Sequence, residues 1–256
     1  MSAENTDTTM TTTRVALVTG ASRGIGRATA HRLARDCGHV ILAARDVTQV
    51  REAADRINRE GRSASALRLD VTDDASVRAA ADHVAARFGH LDVLVNNAGV
   101  LPEATHPDPA EVVDVGMFRQ TFDTNLFGAV AVLEAFLPLL RTSRAGRIVN
   151  VTSTMGSLTD QTDPGSPYYG TVVPAYQSSK AALNNVTIAL AKSLTGTSLK
   201  VTSVCPGFVQ TDLTPTSREQ APLTAEQAAE VVHRAATLPA DAPSGTFVDA
   251  QGTVPW

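Results

Sequence analysis

From residue 14 onward the apolar positions alternate between two rhythms. Residues 15–19, 40–44, 64–69, 91–96, 147–152, 199–204 and 245–249 form short runs, several apolar at nearly every position. Strands buried on both faces of a parallel sheet read this way. Between them, residues 24–36, 47–60, 74–88, 111–141, 174–194 and 224–237 carry longer patterns with helical spacing. Asp73 or Asp74 stands where the third helix needs a cap, and Thr224 where the last one does. A regular strand–helix alternation predicts an α/β fold: a doubly wound (Rossmann) parallel sheet of about seven strands with helices on both faces. No repeat, linker or second core interrupts residues 14–256, so one domain is expected. Residues 1–13 are polar and Thr-rich, with no apolar run; they are expected to be a disordered tail rather than a signal peptide.

Two stretches break the rhythm. Residues 154–173 and 206–223 are rich in Gly, Pro, Ser and Asp and read as long loops. Both follow the carboxyl ends of predicted strands, where open α/β sheets bind ligands.

Composition narrows the partners. A net charge of −4 over 256 residues gives no whole-chain attraction for nucleic acid or an anionic membrane. The apolar stretch 126–140 contains Glu134 and Pro138 and is too short to span a bilayer. Two cysteines, Cys37 and Cys205, suit a reducing cytoplasm and small core positions. The six histidines are scattered singly, so no metal site is expected.

Chemistry concentrates at strand ends. The first strand runs into Thr19-Gly20-Ala21-Ser22-Arg23-Gly24-Ile25-Gly26 and then a helix. Glycines let the backbone turn tightly, and a helix start offers free N–H groups to a pyrophosphate. The spacing is G-x-x-x-G-x-G rather than the usual G-x-G-x-x-G. Residues 20–24 also match the G-x-S-x-G elbow of α/β-hydrolases. That reading fails because no earlier strand–helix loop precedes it to supply an oxyanion hole. At the end of the second strand Ala44 stands where an acid would hold a free ribose 2′-hydroxyl, and Arg45 follows. With Arg23, Arg45 favours a 2′-phosphate and hence NADP(H) over NAD(H).

Tyr176 and Lys180 lie four apart at the start of the helix after the first long loop, on one helical face. A nearby ammonium is expected to lower the phenol's pKa and make it an acid–base group. Ser153 ends one strand, Asn96-Asn97-Ala98-Gly99 another and Asp70 a third, all on the same edge of the sheet.

These motifs, in this order, resemble the short-chain dehydrogenase/reductase family from about residue 14 to the C-terminus. The resemblance implies a catalytic set of Asn125, Ser153, Tyr176 and Lys180. Tyr176 is then the acid–base and Ser153 holds the substrate oxygen. Lys180 lowers the Tyr176 pKa and binds the nicotinamide ribose, while Asn125 holds a water that relays protons. It implies cofactor contacts from Gly20, Ser22, Arg23, Gly24, Ile25, Gly26, Arg45, Asp70, Val71, Asn97, Ala98, Gly99, Tyr176, Lys180, Pro206, Gly207, Val209 and Thr211. The 23 positions from Ser153 to Tyr176 form an insertion relative to compact members. They resemble the carbonyl reductase, menthone reductase and salutaridine reductase branch. The expected reaction is reversible, NADPH-dependent reduction of a ketone or aldehyde on a medium-sized, largely apolar molecule. NAD-dependent alcohol oxidation and a non-catalytic dinucleotide sensor are the alternatives. Tyr168 and Tyr169 in the insertion are expected to fold over the helix-pairing face and favour a monomer over a homodimer or homotetramer.

Overall fold

A computed structural model describes residues 13–105 and 113–256. Seven strands form one parallel sheet in the order β3-β2-β1-β4-β5-β6-β7: β1 (Val15–Thr19), β2 (His39–Ala44), β3 (Ala64–Arg68), β4 (Val93–Asn96), β5 (Arg147–Val151), β6 (Lys200–Val204) and β7 (Thr246–Val248). β1, β2, β4 and β5 are buried at every position, which is why they read as largely apolar runs. The order reverses between β1 and β4, and that switch point opens the crevice in which this architecture binds ligands.

Helices cover both faces. α1 (Gly24–Leu33), α2 (Val47–Arg59) and α9 (Ala225–Ala236) enclose one core with Leu33, Val50, Ile57 and Val232. α3 (Asp74–Phe88), α5 (Ala129–Arg141) and α7 (Pro174–Ser193) enclose the other with Val77, Val84, Phe136 and Leu140. Asp73 caps α3 by accepting from the Ala75 N–H, and Gly89 ends it at φ +72°. Thr224 and Gln227 form a reciprocal capping box on α9.

Three sequence expectations are corrected. The helix expected over 111–141 is α4 (Val115–Phe122), one π-helical turn (Asp123–Gly128) and α5; residues 111 and 112 lie outside the described residues. A helical pattern on both sides of the bulge hides the extra residue in it. The stretch 154–173 contains a 3₁₀ turn (Thr154–Gly156) and α6 (Leu158–Thr162), each capped locally, by Ser153 and Ser157 respectively. The loop 206–223 carries α8 (Ser217–Gln220) and closes on itself through a Gln210 N–H bond to the Leu223 carbonyl. The run Val115–Arg141 is long and apolar enough to cross a membrane, but here Val132, Leu133, Phe136 and Leu140 pack into the core under α3.

Candidate active site

A cleft of about 940 Å³ runs along the carboxyl edge of the sheet, from the glycine turn after β1 to the loop after β6. Its first wall is built by close backbone approach. Gly20 has φ +63°, and a Cβ there would sit 2.9 Å from Ala98 Cα. A Cβ on Gly26 would lie 2.4 Å from Asn97 Nδ2 and 2.5 Å from the Gly20 carbonyl, so α1 can start this near β4 only with glycine. The turn is locked to β4: Thr19 Oγ1 accepts from the Asn97 and Ala98 N–H groups, while Asn97 Nδ2 donates to the Thr19 and Gly20 carbonyls. The start of α1 has no side-chain cap, leaving its N–H groups to face the cleft. This cradle fits a dinucleotide pyrophosphate.

Along the same wall, Arg45 is exposed at the end of β2 and makes no ion pair among the described residues. Asp46 also borders the cleft, with its carboxylate engaged in capping α2 (Thr48 N–H to Oδ1, 2.8 Å). Arg23, expected to be a free cation, is instead 3.3 Å from Asp212, which also pairs with Arg218. The two arginines hold the Asp212 carboxyl below its usual range, chiefly through the hydrogen bond from Arg218. Asp70 lies further along and holds its own turn by accepting from Thr72.

The second wall carries acid–base groups. Tyr176 sits in the first turn of α7 and Lys180 in the second, both buried. Ser153, after β5, lies beside the Tyr176 phenol and acts to lower its pKa, while Ser153 Oγ accepts from the Met155 N–H at 3.1 Å. Lys180 Nζ donates to the Val151 carbonyl at 3.0 Å and lies 5.5 Å from the centre of the Tyr176 ring. Gly156 brings these parts together, since a Cβ there would meet the Lys180 backbone at 2.7 Å. Burial pushes the Lys180 ammonium down to about 8. The expected lowering of Tyr176 is reversed: desolvation raises its pKa, Cys205 adds to the rise, and Ser153 offsets only part of it. In the protein alone burial sets the direction, and the neighbouring ammonium does not offset it.

Asn125 does not line the cleft. The π turn aims it behind Gly99, where Oδ1 accepts from the Val100 N–H and Nδ2 donates to the Val100 carbonyl and Ser179 Oγ. Every other expected site residue reaches the cleft. Sequence reasoning missed the segment after Gly99. Leu101 and Ala104 line the cleft, and Glu103 accepts the Ala175 N–H at 2.9 Å and the Tyr176 N–H at 2.8 Å. No pattern marks it, because its partners lie more than seventy residues away. From the insertion, Pro167, Tyr168 and Thr171 form a wall near Ser153. Tyr169 is 52% exposed, and Phe127 and Val130 stay exposed on the helix expected to be covered. Among the described residues no His, Cys, Asp and Glu side chains cluster as a metal site would require.

A switch-point cleft with a glycine cradle on one wall and a Ser–Tyr–Lys set on the other defines an oxidoreductase of the Rossmann class. The chain belongs to the short chain dehydrogenase family, whose model matches residues 14–222. It is 32% identical to a protein named short-chain dehydrogenase/reductase 1 from Saponaria officinalis, over 95% of this chain and 96% of that one. It is also 32% identical to salutaridine reductase from Papaver bracteatum, over 96% and 97%. The solved structure of NADPH-bound carbonyl reductase from chicken fatty liver superposes with a TM-score of 0.82 at 26% identity, covering 95% of this chain and 99% of that one.

Proposed function

We propose that this chain reduces a ketone or aldehyde to an alcohol with NADPH, on a medium-sized and largely apolar molecule. The observation that carries the reading is the Ser153–Tyr176–Lys180 set, opening on a cleft whose far walls are Leu101, Met155, Pro167, Tyr168, Phe208 and Leu213. When bound, the nicotinamide dinucleotide supplies the hydride. Ser153 holds the carbonyl oxygen, and the neutral Tyr176 phenol donates its proton to that oxygen as the alcohol forms. Tyr176 is kept protonated by burial, which suits an acid in the reducing direction. Lys180 reprotonates it and binds the ribose, and Asn125 completes the proton path behind Gly99.

The glycine cradle, with Ser22 and Ile25, would hold the pyrophosphate. Asp70 and Val71 would flank the adenine; Asn97, Ala98, Pro206, Gly207, Val209 and Thr211 would flank the nicotinamide side. Arg45 supports NADP(H) over NAD(H), and Arg23 would add a second charge by leaving Asp212. The chicken enzyme's bound NADPH supports the same preference. A reducing cytoplasm suits Cys37 and Cys205, both buried and free. For assembly, the monomer expected from the insertion loses its ground, since Tyr168 lines the cleft and leaves the helix-pairing face open. The open face of Phe127 and Val130 favours pairing, and light scattering separates a monomer mass from a dimer or tetramer.

The test is NADPH consumption over a panel of ketones and aldehydes, with Tyr176→Phe alongside. The variant should lose about 10²–10⁴-fold in kcat and still bind NADPH. Near-normal turnover by it removes the assigned role. Binding of NADPH with no turnover of any carbonyl would point to a sensor, and kcat/KM equal or better with NADH would point to an NAD-dependent dehydrogenase.

A further inference from the structure

The catalytic helix begins without a cap of its own. Its N-cap residue is Val173, which has no side-chain acceptor, and Pro174 at the first position has no N–H. The next two donors belong to Ala175 and Tyr176, both buried, where an unpaired N–H is costly. The neighbouring Gln177 side chain is no substitute: it accepts from the Val173 N–H and donates to the Thr171 carbonyl. Both donors are served instead by one residue from another part of the chain. Glu103 Oε1 accepts from Ala175 at 2.9 Å and Oε2 from Tyr176 at 2.8 Å. A carboxylate suits this place doubly, since it takes both bonds at once and puts negative charge at the positive end of the helix.

Glu103 sits four residues beyond Gly99, in a short 3₁₀ turn (Pro102–Thr105) whose Leu101 and Ala104 neighbours face the cleft. It therefore ties the loop that leaves β4 to the turn carrying the Tyr176 phenol. Lys180 lies one turn further on, where the helix's own ladder holds it.

We propose that Glu103 is a positioning residue that fixes Tyr176 against Ser153 by capping the catalytic helix from the β4 loop. The proposal rests on Tyr176 acting as the proton donor. Loss of the cap frees the first turn of α7 and displaces the phenol, while Lys180 and the glycine cradle keep their places. The effect should thus fall on the chemical step and leave cofactor binding alone.

The experiment compares Glu103→Ala and Glu103→Gln with wild type. Glu103→Ala should lower kcat by about 10- to 100-fold, with the NADPH Kd within twofold of wild type. Glu103→Gln keeps one acceptor and should recover part of that loss; it also carries the test if the alanine variant does not fold. Hydrogen exchange at the Ala175 and Tyr176 amides, measured without substrate or NADPH, should quicken in the same order. That measurement separates the two ideas: a wild type inactive on every carbonyl defeats the reductase reading, while exchange still reports on the cap. Unchanged kcat in Glu103→Ala, a matching loss of NADPH affinity, or unchanged exchange would each overturn the proposal.

Discussion

The β1 wall of the cleft is built from backbone and the β5–β6 wall from side chains. Around Gly20, Gly24 and Gly26 the chain approaches β4 so closely that no Cβ fits at two of the three positions without displacing a neighbour. Across the cleft, Ser153, Tyr176 and Lys180 are placed by a 3₁₀ turn, a tertiary cap and a flush contact at Gly156. The insertion and the 206–223 loop close that wall with Tyr168, Phe208 and Leu213. Recognition through backbone N–H groups suits a ligand part shared by all dinucleotides. Recognition through loop side chains suits a part that differs from one substrate to the next. The cofactor half is therefore intolerant of volume, and the substrate half is tolerant.

That contrast can be broken most sharply at Gly26. Gly26→Ala forces a carbon to within 2.4 Å of Asn97 Nδ2. Overpacking of this kind should cost about 100-fold in NADPH affinity, read by calorimetry; affinity within threefold of wild type would show that the wall is not rigid. Acid should also weaken the sheet that carries both walls. His39, at the start of β2, bonds Ser63 and Ser65 and is held down to about 4 by burial, then by Arg87. The unfolded chain takes up this proton near pH 6.5 and the folded one only near pH 4. Stability is therefore full above about pH 6.5 and falls as pH drops between the two, by about 2 kcal/mol after allowing for solvent at the ring's edge. Urea titrations of wild type and His39→Gln should diverge over that window and run parallel above it; parallel curves throughout would remove the cause. Arg45→Asp should weaken NADPH by about 10- to 100-fold and favour NADH, as replacing a charge-assisted bond by repulsion requires. The smallest effect is expected at Tyr168: Tyr168→Ala should change carbonyl KM by about tenfold or less and leave the NADPH Kd unchanged. A Kd that moved with it would mean that the two walls are not independent.

The sheet was legible because its strands obey one rule: β1, β2, β4 and β5 are buried on both faces and are therefore mostly apolar, with polar residues chiefly at their ends. The glycine turn and the Tyr176–Lys180 pair were legible because each is a local pattern. Glu103 was not, since its role depends on a contact across the fold, and Pro102-Glu103 reads as ordinary loop. Arg23 was legible as a cation but not as a paired one, because Asp212 comes from a loop whose path no periodicity fixes. The Tyr176 phenol was misjudged in direction: the i, i+4 ammonium is visible in the sequence, whereas the burial that raises the phenol is a property of the packed site.

The π turn at Asp123–Gly128 carries a consequence of another kind. It holds one residue more than a plain helix needs, and that surplus is what turns Asn125 toward Gly99 while α4 and α5 each keep their own faces. Gly128 closes the turn against Val71, where a Cβ would meet the Val71 side chain at 2.7 Å. The site thus depends on the length of this segment as well as on its letters. Deleting a single residue here would give a more regular helix with the asparagine rotated out of place, even if every remaining side chain were unchanged. A lineage that drifted by substitution alone would keep this feature intact, and one that lost a codon would lose it at a stroke.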